Sequence, residues 1–169
     1  MEVVVDSRRD EILAWLEGMP KFAGGEMAVA SADASFRRYF RWALDGKTYV
    51  IMDAPPDKEP CEPFVKIAEV LLKAGVRVPE ILAQDLNRGF LVLSDFGDLH
   101  YQEAIEGKGR DSLYDLALEQ ILKLQTGLRE EAKALDDYDK GWVRMELESF
   151  REWCLHEFPQ DEYEQATTL

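Results

Sequence analysis

A chain of 169 residues, 46% hydrophobic and 32% charged, has the make-up of a folded globular protein. It is one domain, or one lobe and part of a second, and it is long enough for a real core. Its 34 acids against 20 lysines and arginines leave a formal charge of −14, which argues against nucleic acid or an anionic membrane surface as a main partner. Cys61 and Cys154, His100 and His156 lack metal-ligand spacing, so the expected state is two thiols in a reducing compartment. No apolar run reaches membrane-spanning length, and acids stand where a signal peptide needs a basic and then a hydrophobic segment; a cytoplasmic protein is expected.

Asp6 or Ser7 can cap a first helix whose apolar stripe is Ile12, Leu13, Trp15 and Leu16, and Gly18-Met19-Pro20 ends it. A short strand, Met27 to Ala30, follows Gly24-Gly25. Next comes a hairpin. Phe36, Arg38, Phe40, Trp42 and Leu44 alternate on one face with Arg37, Tyr39 and Arg41 on the other, Asp45-Gly46 makes a type I′ turn, and Thr48 to Met52 returns. In so acidic a chain an anionic ligand needs a local basic cluster, and Arg37, Arg38 and Arg41 form the richest one. With the small polar run Ser31, Asp33 and Ser35 before it, the hairpin suits a cover over the phosphates of a nucleotide. The plainer alternative is a loop followed by solvated arginines.

Ala54-Pro55-Pro56 breaks the returning strand. From Pro63, Phe64, Ile67, Ala68, Leu71 and Leu72 fall on one side of a helix that Gly75 closes. Val76, Val78, Ile81 and Leu82 lead into a strand, Asn87-Arg88-Gly89 turns the chain, and Phe90 to Leu93 reads as a central, buried strand. The sheet signals then stop. One helix starts at Asp111 or Ser112, with Leu113, Leu116, Ala117, Ile121 and Leu124 in register. Another follows Asp139, with Val143, Leu147, Phe150 and Cys154 in register. Both need partners for those stripes. The acids Asp136, Asp137 and Asp139, and Asp161, Glu162 and Glu164, read as solvated faces, and His156 as a group near a helix terminus.

This order, a five-stranded antiparallel sheet with a helix inserted after its third strand and then helices, is an α+β arrangement that resembles the amino-terminal lobe of the protein-kinase-like fold. The segments DASFRRYFR (33–41), YVIMDAPP (49–56) and GFLVLSDFGD (89–98), with Leu124-Gln125 and the helix Glu146–Trp153, are similar to the aminoglycoside phosphotransferase family. Within it they most resemble the bacterial sugar kinases that phosphorylate N-acetylmuramate and N-acetylglucosamine at the anomeric position in cell-wall recycling. The resemblance implies an ATP- and magnesium-dependent kinase with a sugar or amino-sugar acceptor, residues 1–98 forming the nucleotide lobe and 99–169 the first helices of a second lobe.

The resemblance also implies a nucleotide site. Backbone N–H groups of Ala34, Ser35 and Phe36 would lie over the phosphates, with Ser35 the best contact. Arg37 and Arg38 point to opposite faces, so one at most aims into the cleft, and the sequence leaves the choice open. Met52 stands where family members carry a phosphate-binding lysine; either an arginine supplies the charge or the nucleotide is arranged differently, and Glu62 and Glu69 lose their usual partner. A carbonyl near Ser94 and an N–H near Phe96, flanking Asp95, would read adenine. Asp95-Phe96-Gly97 spells the magnesium motif of protein kinases but lacks the catalytic loop that should precede it. The catalytic aspartate and the metal-binding asparagine and aspartate belong to a carboxyl-terminal lobe that this chain hardly begins. No catalytic or metal residue is assigned, and the chain is expected to be an inactive fragment of a protein about twice as long. The rival expectation is a non-catalytic interaction module whose helices from Ser112 onward dock on another chain.

Overall fold

The computed structural model describes residues 6–32, 35–107 and 109–154. Helix α1 (Ser7–Glu17) precedes strands β1 (Glu26–Ala32), β2 (Arg38–Leu44) and β3 (Lys47–Asp53). Helix α2 (Glu62–Lys73) is followed by β4 (Ile81–Asp85) and β5 (Phe90–Ser94), then α3 (Tyr101–Ala104), α4 (Arg110–Gly127), a 3₁₀ turn (Glu131–Ala134) and α5 (Lys140–Cys154). The strands make one antiparallel sheet in the order β1-β2-β3-β5-β4. The expected α+β arrangement is therefore the one that forms; α3 and the 3₁₀ turn are additions to it. Asp45 (φ 50°) and Gly46 (φ 73°) both take the positive φ that a type I′ hairpin requires.

Side chains alternate across the sheet, and each face carries its own core. On one face Phe40 and Trp42 of β2, Ile51 of β3 and Phe90 and Val92 of β5 pack with Ile12 and Leu16 of α1 and with Phe22. The Trp42 indole N–H donates to the Phe22 carbonyl at 3.0 Å, so its one polar group is satisfied inside this core. On the other face Met52, Leu91 and Leu93 pack with Ala54 and Cys61, and with Phe64 and Val65 of α2. Strand β5 is thus buried on both sides, which explains its unbroken apolar run in an antiparallel sheet. Burial also pushes the Cys61 thiol pKa up.

The end of β3 is held by charge. Asp53, fully buried, accepts from Arg8 Nε and Nη2 on one oxygen at 2.8 and 2.6 Å, and from Arg38 Nε and Nη2 on the other at 3.0 and 2.6 Å. Arg38 continues to Asp6 at 2.7 and 3.1 Å, and Asp6 caps α1 by accepting from the Arg9 N–H. Arg8 also donates to the Arg88 carbonyl at 2.7 Å. One carboxylate therefore ties α1, β2, β3 and the β4–β5 turn together. That turn is equally constrained by shape. Gly89 has φ +75°, and a Cβ built there would stand 1.8 Å from the Ala54 carbonyl oxygen.

The chain separates into two compact units between Arg129 and Glu130. In the first, Gln120 of α4 accepts from the Arg77 N–H at 3.0 Å. Leu113 and Ala117 are half-buried, while Leu116, Ile121 and Leu124 stay exposed. In the second, Asp139 caps α5 by accepting from the N–H groups of Gly141 and Trp142, and Val143, Leu147 and Phe150 are exposed.

Replacing Asp53 by Asn keeps the shape but leaves two guanidinium groups facing each other without their shared counter-charge. Urea unfolding should show a loss of about 3–5 kcal/mol, as for a broken buried ion pair. A loss below about 1 kcal/mol would place the network among weak surface pairs.

Candidate functional site

The alternation that sends Arg38, Phe40 and Trp42 toward α1 sends Tyr39 and Arg41 to the α2 face, where Val50 and Leu93 also lie. There the sheet opens into a cleft of about 410 Å³, within the range of small-molecule sites. Ala30 of β1, Val50 of β3 and Leu93 of β5 supply apolar surface, Phe64 of α2 borders it, and the segment Ser94–Asp98 with His100 closes one side. An apolar sheet face bordered by irregular backbone suits a flat heterocycle that needs stacking area and a few directional hydrogen bonds.

The segment after β5 is folded around one carboxylate. Asp95, with its side chain 3% exposed, accepts from Arg41 Nε at 2.7 Å and from the Gly97 N–H at 2.8 Å. Arg41 also reaches Asp98 at 2.8 Å. Burial opposes ionisation of Asp95, but the Gly97 N–H, the Arg41 guanidinium and the Thr48 hydroxyl together hold its pKa below the ordinary value. Ser94 donates its N–H to the Glu80 carbonyl and accepts the Glu80 N–H on Oγ, both at 2.9 Å, which anchors the start of the segment to β4's lead-in. The Arg77 guanidinium lies 5.1 Å from the centre of the half-exposed Phe96 ring. In this chain the Asp95-Phe96-Gly97 triplet shapes a linker, and among the described residues no group of three His, Cys, Asp or Glu side chains could hold a metal ion.

The cleft brings together Arg41, Ser94, Asp95 and Phe96 of the residues singled out from sequence. Ala34 lies outside the described residues. Ser35 accepts the Arg37 N–H on Oγ at 3.1 Å, so its hydroxyl shapes the turn entering β2. Phe36 is exposed, with Lys58 Nζ 5.9 Å from its ring centre. Arg37 lies on the α2 side, pairing with Glu59 at 3.1 Å, its guanidinium carbon 6.0 Å from the ring centre of Phe64. Arg38 is on the opposite face, engaged by Asp6 and Asp53 and directed away from the cleft. Met52 is fully buried in the second core, beneath the surface that a ligand would touch. Ala30, Tyr39, Val50, Phe64, Leu93 and His100 were not selected from sequence, although the alternation that separates Arg37, Tyr39 and Arg41 from Arg38 already groups the β2 members of this face.

Residues 26–168 match the Phosphotransferase enzyme family, APH. The N-acetylmuramate/N-acetylglucosamine kinases of Pseudomonas aeruginosa and Pseudomonas putida are each 42% identical to the chain over 160 residues, which is 89% of this chain and 47% of the relative. A kinase of the same name from Neisseria meningitidis is 34% identical over 153 residues, 88% of this chain and 45% of its own. The chain spans about half the length of the curated relatives it matches.

Because Asp95 has a depressed pKa in the fold, its contribution to stability is fully present above the ordinary aspartate value of 3.8 and is lost as pH falls through the folded value. Arg41→Ala removes the cation from this carboxylate. Its stability deficit against the parent chain, read from urea unfolding at a series of pH values, should be largest near pH 7 and close as both proteins are acidified below the aspartate range. A deficit independent of pH would show that Arg41 acts by packing alone.

Proposed function

The chain belongs to the phosphotransferase enzyme family, and on that premise we propose that it forms the nucleotide-binding part of an ATP-dependent kinase acting on an amino sugar. The observation that carries this reading is the cleft beneath the sheet, with its apolar surface at Ala30, Val50 and Leu93 and the linker Ser94–Asp98 at its side. Adenine stacks on that surface, with its amino group donating to the Ser94 carbonyl and a ring nitrogen accepting from the Phe96 N–H. Residues 1–98 act as the nucleotide lobe and 99–169 as the first helices of the second lobe.

The matched relatives are named for N-acetylmuramate and N-acetylglucosamine, and an acceptor of that class, phosphorylated in the cytoplasm during cell-wall recycling, is the proposed substrate. No helix among the described residues is long and apolar enough to cross a membrane. Magnesium would screen the charge of the transferred phosphoryl group when bound. The described residues offer no cluster to hold it, so its ligands and the catalytic base are assigned to the half of the relatives that this chain does not span. What this chain's own residues do is bind and orient the nucleotide. The rival reading, a non-catalytic docking module, draws on the exposed stripes of α4 and α5, but the kinase names of the relatives weigh against it.

Val50→Trp would fill the cleft from the middle of β3. Calorimetric titration of the purified chain should show ATP binding that weakens by at least about tenfold, roughly 1.4 kcal/mol, in this variant. Equal affinity in the two proteins, or no binding to the parent chain, would overturn the assignment of the cleft.

A further inference from the structure

A nucleotide held at the linker must place its phosphates somewhere along the sheet, and the register states where. Tyr49 pairs with Ser94 across β3 and β5, while Met52 pairs with Tyr39 across β2 and β3. From the linker row to the Met52 row is three residues, about 10 Å along the strand. That distance suits a ribose and the first phosphates leaving an adenine at the linker. The inner face of β3 offers those phosphates no charge, because Val50 and Met52 are apolar and Met52 is sealed in the core.

The arginines around the sheet are not equivalent. Arg8 and Arg38 lie on the α1 face and share Asp53, with Asp6 adding a second acid to Arg38. Arg41 faces the cleft but is neutralised by two acids, Asp95 and Asp98. Arg37 faces the same side, beside Phe64 at the cleft border. It pairs with the single carboxylate of Glu59, and its Nε is buried with no hydrogen-bond partner. A buried guanidinium N–H without an acceptor is costly, so Arg37 is less completely engaged by the protein than Arg8, Arg38 or Arg41.

We propose that Arg37, carried at the entrance to β2, is the cation that binds the nucleotide phosphates, in place of a lysine on β3 where Met52 stands, and that Glu59 is its positioning residue. Glu59 belongs to the connection leading into α2, and the neighbouring Lys58 reaches over Phe36. The connection therefore grips the turn 35–37 from two sides and fixes the guanidinium over Phe64. Arg37 holds Glu59 through Nη2 at 3.1 Å, and the remaining N–H groups of its planar fork are the donors it would offer to phosphate oxygens. Arg38 plays no part in this, since it closes the opposite face.

This inference rests on the nucleotide reading of the cleft, and comparing adenosine with ADP separates the two. Both would be titrated into the parent chain, Arg37→Ala and Arg37→Lys, with thermal melts to verify folding. The expected result is that ADP binds the parent chain more tightly than adenosine. Arg37→Ala then weakens ADP by at least about tenfold, leaves adenosine within about twofold, and Arg37→Lys recovers part of the loss. If adenosine binds but Arg37→Ala lowers both ligands equally, or neither, the Arg37 assignment fails while the cleft stands. If the parent chain binds neither ligand, both fail. Should Arg37→Ala not fold, a folded Arg37→Lys that shows no change in ADP affinity overturns the proposal, and one that weakens ADP alone supports it.

Discussion

A single buried carboxylate organises the five-stranded sheet and the helix packed on it. Asp53 sits fully buried at the end of β3 and can remain there only because two guanidinium groups, from α1 and from the start of β2, surround both of its oxygens. Removing a charge like this from water costs several kcal/mol unless its pairing is complete. The pairing joins α1 to the sheet beside its apolar contacts: Arg8 reaches Asp53 and Asp6 reaches Arg38, while Ile12 and Leu16 pack with Phe40 and Trp42. The same demand fixes the direction of the β2 alternation. Once Arg38 is committed to Asp53, Arg37, Tyr39 and Arg41 have to face α2 and the cleft.

Charge is allocated with similar economy on the cleft side. The chain has 34 acids to 20 basic residues, so most cations near the sheet are already met by carboxylates. Arg41, met by two, works as a structural clamp on the segment folded around Asp95. The linker is thus shaped by a long-range ion pair, and the Asp-Phe-Gly triplet that invites a metal reading is absorbed by that job. The two faces of the sheet accordingly differ: the α1 side is closed by the Asp53 network, and the α2 side opens into the cleft where ligand contact is proposed.

Much of this is legible in the sequence. Period-two alternation in β2, the Asp45-Gly46 turn, the helical spacing from Phe64 to Leu72 and the unbroken apolar run of β5 are local signals, and local physics reads them correctly. The family resemblance extended them to a lobe and a linker, and the match of residues 26–168 bears out the family. What stayed hidden depends on pairs distant in sequence. Arg37 and Arg38 could be assigned to opposite faces, but which face holds α2 depends on where the connection 54–61 crosses, and no local pattern encodes that. Arg8 and Asp53 are 45 residues apart, Arg41 and Asp95 54 apart. The apolar stripes of α4 and α5 read as helical and as needing partners, and Leu116, Ile121, Leu147 and Phe150 are exposed.

The division of labour between the two faces is the central claim, and amide exchange tests it most directly. Backbone hydrogen exchange of the chain would be followed residue by residue with and without ADP. The result expected is slowed exchange in the linker 94–98, the turn 35–37 and the connection 57–61, with α1 unchanged. Slowing confined to α1 and the turn at Arg88, with the linker unaffected, would contradict it and place the ligand on the face assigned to cohesion.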